Sequence, residues 1–192
     1  MLKNKLLTLA GVLAILACGA CFMPPLSENG PPPPPNRLAS VHRITIDVED
    51  GTGSNLFDPV AMSSVTVGEF DRLWAESPVR ATVFNAGRPS DAVLKIVVLH
   101  KTASCTLQSN GKQLCSFEMI SSFTLMAADG RILQSRPQES SKFGVWYQGD
   151  SLPGNLNANP FRQNAAYSLA MAAGDIFLLP LSSNSFSGDP SV

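Results

Sequence analysis

An unbroken run of prolines at positions 31–35 divides this chain into a part that cannot fold and a part that can. Each proline fixes φ near −65° and lacks an amide donor, so the run suits neither a helix interior nor a sheet ladder. It favours polyproline II, rising about 3.1 Å per residue. The stretch 18–36 around it is dominated by proline, glycine and small or polar residues, a composition with too little apolar surface to repay ordering. It reads as a tether, and a position next to the N-terminal segment favours a spacer over a Pro-rich ligand for an aromatic groove. Ahead of it, Lys3 and Lys5 precede an apolar segment at 6–17 that ends in small residues. Crossing a bilayer takes roughly 20 apolar residues, so 1–17 reads as a cleaved targeting signal and not as a membrane helix.

Two cysteines, Cys18 and Cys21, follow that segment. The sequence Ile15-Leu16-Ala17-Cys18 resembles the lipobox of bacterial lipoproteins, in which the signal is cut before a cysteine whose sulfur is acylated. Cys18 fits the pattern better, because the residue three before Cys21 is Cys18 itself; Cys21 is the alternative. The resemblance implies a covalent diacylglycerol on sulfur and an N-acyl chain on the new amino terminus, and no other cofactor is expected. One acyl chain binds marginally and each buried CH₂ contributes about 0.8 kcal/mol, so the two attachments together hold a protein on a membrane durably. In enterobacterial lipoproteins an Asp after the lipidated cysteine favours inner-membrane retention, and here that residue is Gly19. By that resemblance the expected location is the periplasmic face of the outer membrane, with the inner membrane as the alternative.

Charge narrows the partners further. The chain has 14 Lys and Arg against 15 Asp and Glu, and loss of Lys3 and Lys5 with the signal makes the balance more acidic. Nucleic acid is therefore not an expected partner. The stretch 37–183 is long enough for one well-buried core, and 184–192 reads as a flexible tail.

Within 37–183, the stretch 37–48 places Ile44, Ile46 and Val48 on one face and Thr45 and Asp47 on the other, the alternation of a half-buried strand. After the turn-forming Glu49-Asp50-Gly51-Thr52-Gly53, Asp58-Pro59 offers an N-cap followed by proline at the first helical position, predicting a helix over 59–76. Met62, Val65, Phe70, Leu73 and Trp74 form its apolar stripe. A short strand is expected at 79–84. The nearly continuous apolar run at 92–100 predicts a central strand covered on both faces. Residues 115–127 alternate Phe117, Met119, Phe123 and Leu125 against Glu118, Ser122 and Thr124, and Asp129-Gly130 turns the chain into a partner strand at 131–135. The stretch 140–159 reads as an irregular insertion. From Asn159-Pro160, the residues Ala165, Leu169, Ala172, Ala173 and Ile176 recur at helical spacing until Pro180.

An exported protein meets an oxidising compartment, where disulfides persist, so Cys105 and Cys115 are expected to be bonded to each other. A three-residue loop Ser109-Asn110-Gly111, with Gly111 left-handed, pairs Gln108 with Lys112 and Leu107 with Gln113, and so sets Cys105 opposite Cys115. Opposed non-hydrogen-bonded positions lie about 4.5 Å apart at Cα, within disulfide range. A two-residue Asn110-Gly111 turn would instead place Cys115 opposite Thr106. With no CxxC spacing, the bond reads as a structural staple and not a redox site.

These elements predict an α+β fold, a mostly antiparallel sheet with two helices packed on one face. The opening strand Val41-His42-Arg43-Ile44-Thr45-Ile46-Asp47-Val48, the segment Asp91-Ala92-Val93-Leu94-Lys95-Ile96, and the hairpin from Phe117-Glu118-Met119 through Asp129-Gly130-Arg131 resemble lipoproteins of lipopolysaccharide assembly. Auxiliary lipoproteins of ABC-type lipid transporters are similar by the same motifs. The first resemblance implies a domain that plugs and stabilises an outer-membrane barrel; the second implies an accessory to a lipid-shuttling complex. Either partner would be met by a protein already held on the membrane through its lipid.

Chemistry-bearing residues are sparse. His42 and His100 each fall in an expected strand, and neither belongs to a nucleophile elbow, a metal-binding helix or a phosphate loop. Ser63-Ser64, Ser121-Ser122 and Ser140-Ser141 lack a base and carboxylate fixed in register. Asp47, Glu49 and Asp50 lack the ordered ligand spacing of a calcium loop and read as a solvated strand end; no metal is expected. The chain is therefore expected to be non-enzymatic. Phe143, Trp146, Tyr147 and Phe161 cluster in or beside the expected insertion, where they serve either as partner contacts or as a lid folded onto the core.

The anchor is directly testable. Labelled palmitate should enter the protein, Cys18→Ser should abolish the label, and Cys21→Ser should leave it intact; label lost only with Cys21→Ser would move the attachment to that residue.

Overall fold

The computed structural model describes residues 38–83, 89–147 and 154–177. The signal 1–17, the tether 18–36 with Cys18 and Cys21, and the tail 184–192 lie outside the described residues. The elements run β1 (Arg43–Asp50), α1 (Pro59–Leu73), β2 (Arg80–Val83), β3 (Ala92–Leu107), β4 (Gln113–Ala127), β5 (Ile132–Tyr147) and α2 (Phe161–Ile176). They build an α+β fold of one five-stranded sheet in the order β2-β1-β3-β4-β5, with two helices. Among the described residues, no helix is long and apolar enough to cross a membrane.

The sheet is mixed, which corrects the expectation of a mostly antiparallel one. β1 pairs in parallel with both β2 and β3, whereas β3–β4 and β4–β5 are antiparallel. The cause lies in α1, because a helix laid along the sheet carries the chain back to the end where β1 began, so β2 can only start parallel to it. Tight turns at 108–112 and 128–131 make the other half antiparallel.

Local chemistry sets the element ends. Asp58 caps α1, its Oδ1 accepting from Val60 N at 3.0 Å and Ala61 N at 3.3 Å, with Pro59 at the first helical position. The helix stops at Leu73, short of the expected residue 76, and the Trp74 amide closes it on Phe70 O at 2.9 Å. β1 begins at Arg43, later than expected, and Asp91 Oδ2 accepts the amides of His42 and Arg43 at 2.9 and 2.8 Å. Those two donors hold the Asp91 carboxyl below its ordinary value. Beyond Ile46↔Val83, where β2 ends, the buried Val48 amide donates to Ser63 Oγ of α1 at 2.9 Å instead of to a strand.

Two further expectations are corrected. The central strand is buried on one face only: Ala92, Leu94, Ile96 and Val98 are fully buried, while Val93, Lys95 and Val97 are half-buried, because both helices lie on the same side. The expected insertion 140–159 is ordered strand over its first part. β5 runs through Tyr147, pairing Ser140 with Ile120 and Tyr147 with Gln113. Pro137 sits in β5, an edge strand, within the register shift between Ser121 and Phe123, where a missing amide is tolerated.

The helices are joined by one large side chain. Trp74, 1% exposed, packs on α2 and donates its indole N–H to Ala170 O at 3.2 Å. A Cβ on Gly174 would stand 2.0 Å from Trp74 Cζ2, so only glycine admits the ring. Beside it, Arg72 donates to Glu69 Oε2 from Nε at 3.0 Å and Nη2 at 2.7 Å, and Gln163 of α2 donates to Glu69 Oε1. The buried Glu69 carboxylate is thereby paired and cross-linked to the second helix.

Gly174→Ala should therefore destabilise the domain by about 1–3 kcal/mol or more, the cost of overpacking a filled site. Denaturant unfolding should show a lower midpoint, and pairing the change with Trp74→Phe should recover part of the loss; an unchanged midpoint would show that the ring is not held against that glycine.

Candidate interaction surface on the distal sheet

After Asp50↔Val98, β1 ends and three strands continue alone. Gly51 N bonds Val98 O at 2.9 Å, Leu99 bulges between Val98↔Ser121 and His100↔Ile120, and β3, β4 and β5 run on together to the 108–112 turn. This extension carries most of the residues that the sequence singles out.

On the helix-facing side, the rings of Phe117 and Phe143 stack at 4.9 Å between centroids and 5° between planes. Phe161, from the start of α2, meets Phe117 edge-on at 5.4 Å, and Tyr147 lies 5.4 Å from Phe161. Phe143 and Phe161 are buried, and Tyr147 packs against the core. Three of these four aromatics thus take the lid alternative, folded onto the core. Alternation explains this: Phe143, Val145 and Tyr147 point to one face of β5, and Trp146, 54% exposed, to the other. Lys101 on the lid side donates to Gly154 O at 3.3 Å and lies 5.9 Å from the Phe117 centroid, and burial lowers its ammonium pKa.

The opposite face bears an open groove of about 490 Å³ lined by Thr102, Ser104, Ser116, Glu118, Lys142 and Gly144, among others. Ser104, Ser116 and Gly144 are cross-strand neighbours, so a row of small residues forms its floor. Glu118 accepts from Ser140 Oγ at 2.5 Å and faces Lys142 Nζ at 3.7 Å. The Ser140 hydrogen bond first, then the Lys142 charge, hold the carboxyl below its ordinary value, leaving an ionised and matched pair at the groove wall.

The tip is built as its residues require. Gln108 N donates to Lys112 O at 2.8 Å, Gly111 N to Gln108 O at 3.0 Å, and Gly111 adopts φ 76°. Cys105 and Cys115 face each other, are disulfide-bonded, and lie 4.1 Å apart at Cα.

The remaining chemistry-bearing residues do not converge. His42 precedes β1, whereas His100 lies in β3 just past the bulge as expected, and both are exposed. Asp50 organises the loop after β1: Oδ1 accepts from Thr52 N at 2.9 Å and Thr52 Oγ1 at 2.6 Å, and Oδ2 from Leu56 N at 2.5 Å. Desolvation pushes its carboxyl up, but these bonds together outweigh it and leave the value lowered. Glu49 pairs with Lys95 at 2.7 Å. Among the described residues, no group of three His, Cys, Asp or Glu is placed to hold a metal. Ser121 and Ser141 are buried with Oγ atoms that find no hydrogen-bond partner among the described residues, so neither is served by a base.

No protein-family model matches the chain, and no curated protein does. Among solved structures, it is similar to the PelC dodecamer from Paraburkholderia phytofirmans, at 10% identity over 71% of this chain and 86% of that one, with a TM-score of 0.41. A minor lipoprotein from Acinetobacter baumannii aligns at 11% identity over 74% and 96%, with a TM-score of 0.36. The rare lipoprotein B from Shewanella oneidensis aligns at 11% identity over 71% and 98%, with a TM-score of 0.30. Superposition this loose carries no argument about function.

Opening the Cys105–Cys115 bond should cost about 2–3 kcal/mol, by a chain-entropy account of so short a loop. Denaturant unfolding with and without reductant, and of the Cys105→Ser/Cys115→Ser variant, checks this; both thiols free to alkylate in the non-reduced exported protein would refute the bond.

Proposed function

We propose that this chain is a lipid-anchored envelope protein of the periplasmic outer-membrane face, acting without catalysis as an interaction or assembly factor of the lipopolysaccharide-assembly type. The observation that carries the reading is the run from Lys3 and Lys5 through Ile15-Leu16-Ala17-Cys18, an export signal that ends at an acylation site. The folded domain is consistent with that role. Among the described residues its two histidines are exposed and separate, Asp50 holds a loop, Glu49 pairs with Lys95, and its distal sheet offers a groove where Glu118 is matched by Lys142.

The alternative is a lipid-binding accessory of an ABC-type lipid transporter, which would be favoured by an apolar cleft between helices and sheet. In the described residues that layer is filled by Trp74, Phe70, Leu94, Ile96 and Phe123. The open groove lies on the other side of the distal strands and has a polar rim.

Crosslinking in the native envelope, followed by purification from detergent and identification of what is joined to the chain, separates the two. An outer-membrane barrel supports the assembly role, whereas copurifying phospholipid with components of an inner-membrane transporter supports the accessory role. Acylated protein recovered in inner-membrane fractions would overturn the outer-membrane placement.

A further inference from the structure

We propose that the free edge of β3 beyond β1, from Lys101 to Leu107, pairs antiparallel with the same edge of a second copy of this chain. β1 leaves β3 after Asp50↔Val98, and among the described residues the last backbone bond to that edge is Gly51 N to Val98 O at 2.9 Å. Gln108 and Lys112 close the turn as a hydrogen-bonded pair, and the β3–β4 register then runs without a shift from Leu107↔Gln113 to Lys101↔Met119. Alternation makes Leu107, Cys105, Ala103 and Lys101 the non-hydrogen-bonded positions against β4, so their amides and carbonyls point out of the sheet edge. The 4.1 Å Cα separation of Cys105 and Cys115 fits such a position. A row of unpaired amides and carbonyls at strand spacing is matched by another strand.

The edge is complementary to itself. A two-fold register centred on Ser104 pairs every outward group, Lys101 with Leu107 and Ala103 with Cys105 in both directions. It sets Ser104 opposite Ser104 and Thr102 opposite Thr106, hydroxyl pairs that favour strand pairing, and it opposes no like charges. Leu107, 70% exposed, then lies beside the aliphatic stem of the second copy's Lys101. Thr102 to Leu107 are exposed on both faces of the sheet, so neither helix covers the flank that a second copy needs. Proline, charge and bulges guard strand edges; the stretch 102–107 has none of them, whereas β5 holds Pro137 at a register shift. A strand edge of this length falls short of the about 800 Å² per partner of a stable interface, so the pairing is reversible and rises with the concentration of the chain. The proposed lipid at Cys18 would favour it by confining copies to one surface, but the chemistry of the edge does not depend on that anchor.

The test uses the full chain in its native envelope, with two differently tagged copies co-expressed and crosslinked in situ with formaldehyde. Each tag should recover the other copy, and Ala103→Pro should abolish the recovery. That amide faces the free edge, so the monomer keeps its β3–β4 ladder and its denaturant midpoint should hold. Ser104→Lys, which opposes like charges at the two-fold axis from a position exposed in the monomer, should abolish the recovery as well. Without formaldehyde, Ser104→Cys should yield a disulfide-linked dimer on non-reducing gels, joined through position 104 by mass spectrometry, above the background set by the wild type with its Cys21. Thr102→Cys alone should not, because it faces Thr106 of the second copy, whereas Thr102→Cys/Thr106→Cys should. A dimer from Thr102→Cys alone, with none from Ser104→Cys, overturns the register. Recovery that survives both Ala103→Pro and Ser104→Lys overturns the edge pairing, as does absence of recovery from the wild type. Position 104 crosslinked only to a different protein identifies that protein as the occupant and overturns the self-pairing.

Discussion

The seat of Trp74 against Gly174 is the interaction on which the arrangement of this domain turns. The indole fills the space that a Cβ would need and bonds the Ala170 carbonyl, while the neighbouring Glu69 carboxylate ties Arg72 of α1 to Gln163 of α2. Two short helices, each a marginal structure by itself, thereby become one layer. A single layer covers a single face. Ile44, Ile46, Leu94, Ile96 and Phe123 are buried beneath it, and the reverse of the sheet stays half-exposed, with Lys95 and Glu49 paired in solvent.

The sheet divides along β3. On one side, β1 and β2 are short, parallel and pinned by helix side chains, as the Ser63 bond to the Val48 amide shows. On the other, β3, β4 and β5 are long and antiparallel, with α2 packed against β5. Burial there depends on a few rings: Phe161 at the start of α2 reaches Phe117, and Tyr147 closes over it. The β5 edge carries a familiar safeguard against strand addition, since it holds Pro137 at its bulge.

Much of this was legible where one residue type dictates one geometry. Asp58-Pro59 marks a helix start because one supplies the acceptor and the other does without a donor, and Ser109-Asn110-Gly111 fixes a hairpin register that brings Cys105 to Cys115. Direction was less legible. β1, α1 and β2 could be read in order, but the parallel pairing follows from the crossover path of α1, which no local pattern states. The second half of β5 was hidden because Pro137, the serines around 140 and Gly144 interrupt the apolar alternation, although Phe143 and Val145 keep its period. That same alternation separates Trp146 from its aromatic neighbours, and only the register of β5 against β4 reveals that the four rings do not act together. The Trp74–Gly174 seat joins residues far apart in sequence, so neither residue could announce it.

Strand polarity sets the chain's entry and the hairpin turn at opposite ends of the sheet. Asp91 holds the His42 and Arg43 amides at the end of the sheet where the chain enters, and the parallel pairing of β1 with β3 sends the hairpin tip to the other end. The polar groove between Glu118, Lys142 and the Ser104-Ser116-Gly144 row lies on that distal half, on the face of the sheet turned away from the helices.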